Sequence, residues 1–489
     1  MRNLHLLPLL LLFALLTACY EDGGASFASV TFDENGVSDP MNGDPNAIAE
    51  NPFVLTADEA TSTFSIDADG GSYTNARRSL QQTNRFPLEG TVRTEEFINY
   101  FDLNYPGPTG EHPIALSGEV SGCPWNTDHK LVRIGIQGEN LAEEELPKSN
   151  FVFLLDVSGS MAAVEKLGLL KAGMHRFVDN MSAEDYLSIV TYAGRTEVYL
   201  PSTSGTERDR IRQAIDALIV GGGTNGGAGI VLAYEQAEAH LIEGGNNRII
   251  LGTDGDFNIG ITDRNELVSL IEEKRETGVF LTVLGVGQSP YSQNTMEQLA
   301  NKGNGTYEYL DKLAELEKVF FHERSKFFTV AKDVKVQVEF SPGQVEAYRL
   351  IGYENRVLAN EAFEDDEEDA GEIGAGQNVT ALYEIIPAAT ASPSLPAFKI
   401  DFRYKLPDAD TSIPMSLEVR DEGNAFAAAS EYQRFTTGVA GFSLLLLDSQ
   451  YKGELTYGMV KEILNASSLP DPHGLREELV ELVEVAEGL

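Results

Sequence analysis

Between residues 149 and 330 the chain repeats one pattern, a short apolar run followed by a turn and then an amphipathic stretch. Phe151 to Leu155 is an unbroken apolar run, as expected of a strand buried on both faces. Val164 to Met181 has helical periodicity, and Tyr186 to Tyr192 is a second apolar strand. Arg208 to Leu218 and Ala228 to Leu241 read as helices, Arg248 to Leu251 as a strand, Arg264 to Glu276 as a helix and Val279 to Val286 as a strand. Tyr291 to Asn301 and Leu313 to Phe328 complete the series as helices. Such alternation leaves few folds open. It predicts a doubly wound, mainly parallel sheet of the α/β class, with right-handed crossovers placing helices on both faces.

The flanks follow other rules. After Lys332, the residues Val334, Val336, Val338 and Phe340 alternate strictly with polar neighbours. Tyr348 to Tyr353, Asn378 to Ile386, Phe398 to Lys405 and Met415 to Val419 are further strands, and strands without intervening helices imply an antiparallel sandwich or barrel-like unit. Upstream, Phe64 and Ile66 mark a half-buried strand, Ser72 to Gln82 and Thr94 to Phe101 look helical, and Leu131 to Ile136 reads as a strand. That early strand is expected to pair with the later β region, which makes the α/β domain an insertion in a β-sandwich. The tail from Gly438 reads as helical, with Leu475, Leu479, Leu482 and Val483 on one face and glutamates on the other. The predicted organisation is a leader over 1–18, a flexible tether over 19–55, an α+β region contributing sandwich strands over 56–148, and the α/β domain over 149–330. A β-rich domain over 331–430 and a helical segment over 431–489 follow.

Arg2 followed by the apolar run Leu6 to Leu16 has the form of an export signal, too short for a stable span. It ends in Leu16-Thr17-Ala18-Cys19, which resembles the bacterial lipobox and implies a lipidated Cys19, a palmitate-bearing anchor and a membrane-held lipoprotein of the cell envelope. An ordinary secretory cut near Ala18 is the competing reading. Tyr20 in place of an aspartate points to the outer membrane of a Gram-negative bacterium. With Cys19 acylated, Cys123 has no second cysteine to pair with and reads as a small buried hydrophobe. The formal net charge of -40 repels phosphate backbones, so nucleic acid is not an expected partner. Glu361 to Asp369 carries seven carboxylates, which a Ca²⁺ loop could use, but it lacks the EF-hand alternation and central glycine and reads better as a solvated loop.

Three loops carry the chemistry. Asp156-Val157-Ser158-Gly159-Ser160-Met161 follows a buried strand directly, where ligands of doubly wound sheets bind. It offers a carboxylate and two hydroxyls on one turn. Thr224 stands in a glycine-rich loop before a helix, and Asp254 in Thr253-Asp254-Gly255-Asp256 after a strand, so all three loops are expected at one edge of the sheet. Oxygen donors of this kind suit a hard divalent cation such as Mg²⁺, with Mn²⁺ and Ca²⁺ as substitutes.

Asp156, Ser158, Ser160, Thr224 and Asp254 together resemble the metal-ion-dependent adhesion site (MIDAS) of von Willebrand factor A-type (VWA) domains. The stretches Arg93 to Tyr105, Asn246 to Gly260 and Tyr348 to Ala381 extend the likeness to a bacterial family of VWA lipoproteins with a C-terminal extension. The resemblance implies that the two serines ligate a metal directly, the threonine directly in the high-affinity state, and the aspartates directly or through water. Largely neutral ligands leave the ion much of its charge, so a partner protein's Asp or Glu carboxylate can complete the shell. The expected function is metal-dependent protein binding, without catalysis. Competing readings are an accessory subunit of an AAA+ ATPase and a metal-dependent hydrolase using Asp256 as base. Phosphoryl transfer through an aspartate lacks its second acid at Ser158, and no P-loop lysine, His-Glu-x-x-His or Gly-x-Ser-x-Gly elbow occurs.

Overall fold

The computed structural model describes residues 49–66, 69–88, 90–142, 145–223, 226–255, 264–287, 293–366 and 370–489. The leader, Cys19 and most of the tether lie outside the described residues. The chain begins with β1 (Val54–Leu55), β2 (Thr61–Ser65), α1 (Gly71–Thr83), α2 (Thr94–Asn99), β3 (Ile114–Gly122) and β4 (Lys130–Gly138). The α/β domain contains β5 (Ser149–Asp156), α3 (Leu169–Asp179), β6 (Tyr186–Tyr192), β7 (Thr196–Ser204), α4 (Arg208–Ala217), α5 (Gly226–Ala239), β8 (Asn246–Thr253), α6 (Arg264–Arg275), β9 (Val279–Val286), α7 (Gln293–Lys302), β10 (Tyr307–Leu310) and α8 (Leu313–Glu317). There follow β11 (Thr329–Phe340), β12 (Val345–Ile351), β13 (Val357–Leu358), β14 (Gly371–Gly374), β15 (Asn378–Pro387), β16 (Pro396–Lys405) and β17 (Ile413–Arg420). Three helices, α9 (Glu431–Leu446), α10 (Tyr457–Asn465) and α11 (Leu475–Glu487), end the chain.

The central sheet runs β10-β9-β8-β5-β6-β7 and is parallel throughout except for the antiparallel edge strand β7. All eight residues of β5 are buried, as its continuous apolar run demands of the strand at the sheet's centre. Phe151 and Phe153 pack edge-on against Phe177 of α3, with ring centroids 4.7 and 5.2 Å apart.

Two antiparallel sheets form the sandwich, one ordered β1-β12-β15-β4-β3 and the other β13-β2-β11-β16-β17, with β14 beside β11. Strand β4, from before the α/β domain, pairs along its length with β15, from after it. β2 likewise pairs with β11. The α/β domain is therefore an insertion. Rings from the two sheets interlock: Phe340 of β11 stacks on Tyr348 of β12 at 4.4 Å and meets Tyr383 of β15 at 5.3 Å.

A helical cap joins α1 and α2 to α9, α10 and α11 around Tyr73, Phe97, Phe101, Phe435 and Phe442. Ser430 and Thr456 cap the starts of α9 and α10 through their hydroxyls. Trp125 is buried in this cap, and its carbonyl accepts from the Glu454 amide at 3.0 Å. Cys123 is buried here too, and burial pushes its thiol up to about 12.

Some details differ from the reading of the sequence. Residues 50 to 55, assigned to the tether, are packed: Asn51 donates to the Leu350 and Gly352 carbonyls and Phe53 meets Tyr451 edge-on. Leu313 to Phe328 is not one helix but α8 followed by a π-turn and a 3-10 turn. The π-turn begins at Lys318, whose buried ammonium meets Glu323 at 3.1 Å. In the acidic loop, Asp366 is paired with Arg403 at 3.0 Å, and a hydrogen bond from Ser412, then the charges of Arg403, Lys405 and Lys335, hold its carboxyl below the usual range. Among the described residues, no helix is long and apolar enough to cross a membrane.

Candidate metal centre

Parallel pairing brings the loops together. Asp156 ends β5, which lies between β6 and β8, so the turns leaving β5 and β8 emerge side by side at one edge. Asp156 is fully buried, and its Oδ1 accepts from the Ser158 amide at 2.8 Å. That bond tightens the turn and presents the Ser158 and Ser160 hydroxyls 2.9 Å apart. Met161 is buried beneath them and fixes the turn to the core.

The glycine loop lies against this turn. The Gly159 amide donates to the Gly222 carbonyl at 3.2 Å, and the Gly221 amide donates to Val157 at 2.8 Å. Gly222 has φ +93, and a Cβ there would stand 2.6 Å from the Gly194 amide nitrogen, so only glycine fits. Thr224, two residues on, lies outside the described residues, as does Asp256. Asp254 follows β8 and is 6% exposed. Its Oδ2 accepts from the Lys166 ammonium at 2.8 Å, and the same ammonium donates to the Ser160 carbonyl at 3.0 Å. Four of the five expected residues therefore converge: Asp156, Ser158 and Ser160 on one turn, and Asp254 across Lys166.

Two contributors escaped the sequence reading. Tyr192 ends β6 in register with Asp156. Burial, and next the charge of Asp156, hold its phenol well above the ordinary range, so it stays a neutral neighbour of the carboxylate. Its position could have been found from strand register. Lys166 gives no comparable signal, because a lysine at the start of a helix is ordinary.

The donor set fits a hard cation. It is all oxygen, one carboxylate is fully buried, and a tethered ammonium already supplies positive charge between two of the loops. Among the described residues no cluster of three or more His, Cys, Asp or Glu is placed to hold a metal, so a cation here must draw on hydroxyls.

Three family models match the chain: "von Willebrand factor type A domain" over residues 150–322, "von Willebrand factor" over 42–133, and "Uncharacterized protein YfbK, C-terminal" over 325–399 and 394–489. The Escherichia coli (strain K12) protein described as "Uncharacterized protein YfbK" is 39% identical over 465 residues, 90% of this chain and 80% of that protein. The chain belongs to the YfbK family. Its α/β domain is a VWA domain, a type that mediates protein interactions, often through a divalent metal. Human inter-alpha-trypsin inhibitor heavy chain H4 is 28% identical over 171 residues, 33% of this chain and 18% of that protein. The magnesium-chelatase 67 kDa subunit of Chlorobaculum tepidum is 26% identical over 241 residues, 43% of this chain and 38% of that one.

Proposed function

We propose that this YfbK-family chain is a lipid-anchored envelope protein whose VWA domain holds a partner protein through a divalent cation, Mg²⁺ in the first instance. Asp156, Ser158, Ser160, Thr224 and Asp254 are the residues that would hold the ion, and the bound ion would supply a Lewis-acidic position for a partner's Asp or Glu carboxylate. Cys19 would carry the acyl anchor and place the domain at the outer membrane.

The observation that supports this reading most is the convergence of Asp156, Ser158, Ser160 and Asp254 at one edge of the sheet, with Gly222 pressed against the same turn. Asp156 matters most among them. Its bond to the Ser158 amide shapes the turn and its charge would attract the ion.

Affinity capture from envelope extract, with and without chelator, tests the proposal. Capture of a partner in Mg²⁺ that is lost in EDTA, and lost in Asp156→Ala without chelator, is the expected result. Capture indifferent to both changes would refute it. The similarity to a magnesium-chelatase subunit motivates a second reading, an accessory subunit of an AAA+ ATPase. Fractionation separates the two: acylated protein in the membrane supports the first reading, and unacylated protein in the cytosol the second.

A further inference from the structure

The metal site contains a cation of its own. The Lys166 ammonium bonds Asp254 Oδ2 at 2.8 Å and the Ser160 carbonyl at 3.0 Å, bridging the first and third loops. This is not a surface ion pair, since the Lys166 side chain is 20% exposed and that of Asp254 6%. The Ser158 and Ser160 hydroxyls meanwhile bond each other.

The lysine is held in place from behind. Its stem lies on Gly287, where an added Cβ would stand 2.5 Å from Lys166 Cε. Gly287 is fixed in turn, because its carbonyl accepts from Arg78 at 3.0 Å and from the Tyr309 hydroxyl. Arg78 belongs to α1, outside the VWA domain. A platform built partly by the flanking region therefore aims the ammonium at Asp254.

We propose that Lys166 is a built-in competitor for the metal: it must release Asp254 before a divalent ion can take the site, and so it sets the ion's affinity. The inference rests on the metal reading above. Its physical basis is charge. An ammonium and a divalent cation within a few ångströms repel strongly in a partly desolvated pocket, and both are stabilised by the same carboxylate. Either the lysine swings out, breaking its two hydrogen bonds and leaving its platform on Gly287, or the ion binds weakly. Removing the ammonium removes that cost. The resting site is then a closed state in which the ammonium occupies Asp254, and ion binding an exchange of one cation for another.

Full-length protein in detergent, titrated with Mn²⁺ by electron paramagnetic resonance and with Mg²⁺ by calorimetry, tests this. Lys166→Met is expected to tighten binding of either ion roughly tenfold, the size of one modest charge interaction. Lys166→Arg, which keeps the charge, should not show the gain. Without metal, Lys166→Met should melt below wild type, because the ion pair between Lys166 and Asp254 is lost, and added Mg²⁺ should recover more stability than in wild type. Lys166→Gln repeats the comparison should the Met variant fail to fold. If wild type binds and the neutral variants bind equally or more weakly, the competitor role is wrong while the metal reading stands. If neither wild type nor the neutral variants take up Mn²⁺, the metal reading itself fails and takes this inference with it.

Discussion

Glu308 shows how burial alone can set the behaviour of a carboxyl group. It lies in β10, at the edge of the central sheet, and is 7% exposed. Burial raises its pKa from 4.5 to about 7, and the Lys318 charge only partly offsets this. The folded chain thus holds a proton that the unfolded chain gives up first. By linkage, stability from this group is fully present below pH 4.5 and is lost as pH rises through about 7. Glu308→Gln should flatten that slope. The variant should match wild type near pH 4 and exceed it at pH 8 by up to about 3 kcal/mol. Urea unfolding at pH 4.5, 6 and 8 checks this, and a variant curve parallel to wild type over the range would contradict it. The metal-site residues have a different logic. Asp156, Ser158 and Ser160 were legible because a turn after a buried strand must present its oxygens at the sheet edge. Lys166 was not, because only the folded path of the chain brings its ammonium to Asp254.

Among the elements, the union of α1 with α8 and α11 carries the heaviest electrostatic load. Arg77 of α1 is fully buried and donates to Asp311 at 2.9 Å, Glu315 at 2.7 Å and Glu478 at 2.9 Å, and to the Tyr100 hydroxyl at 2.8 Å. One guanidinium so binds the N-terminal region, the end of the VWA domain and the last helix. Arg77→Met should destabilise the protein by about 3–5 kcal/mol, because buried Asp311 loses its guanidinium and Glu315 keeps only the Lys318 ammonium at 3.7 Å and the Tyr100 hydroxyl at 2.7 Å. Arg210→Ala, which loses only an exposed helical pair with Glu207, should cost under about 1 kcal/mol. Equal midpoints for the two variants in denaturant would overturn this account. No sequence pattern announces such a clasp, since its members are far apart along the chain. Periodicity did reveal β5, β6, β8 and β9, whose apolar runs are long and unmixed. It missed β7, where Pro201 and a run of hydroxyl residues look like a loop; at an antiparallel edge, proline and polar side chains are tolerated. It also took Leu313 to Phe328 for a single helix, because spacing of apolar residues cannot register that Lys318 needs its carboxylates inside the protein.

At the scale of the molecule, the sandwich and its cap are built from both ends of the sequence. β4 completes a sheet with β15, β2 does so with β11, and α1 and α2 share a core with α9 to α11. Neither flank can bury its apolar face alone. The chain leaves the sandwich and rejoins it at neighbouring points. Gly376 donates to the Glu139 carbonyl just after β4, and Ala375 donates to the Phe328 carbonyl just before β11. A domain inserted at such a junction adds to its host without threading through it. Deleting residues 149–328 and closing the gap with a short Gly-Ser linker should therefore leave a folded β-rich protein with its helical cap. Circular dichroism and cooperative urea unfolding are the measurements. Removal of Asp311 and Glu315 also uncovers Arg77, so its charge is then solvated rather than stranded, and the clasp's loss should cost far less than in Arg77→Met. A fragment ending at Gly138 should by contrast remain unfolded, because β4 would present an edge with no partner. If the deletion protein were unfolded and the short fragment folded, the sandwich would be two separate halves, contrary to the strand pairing of β4 with β15.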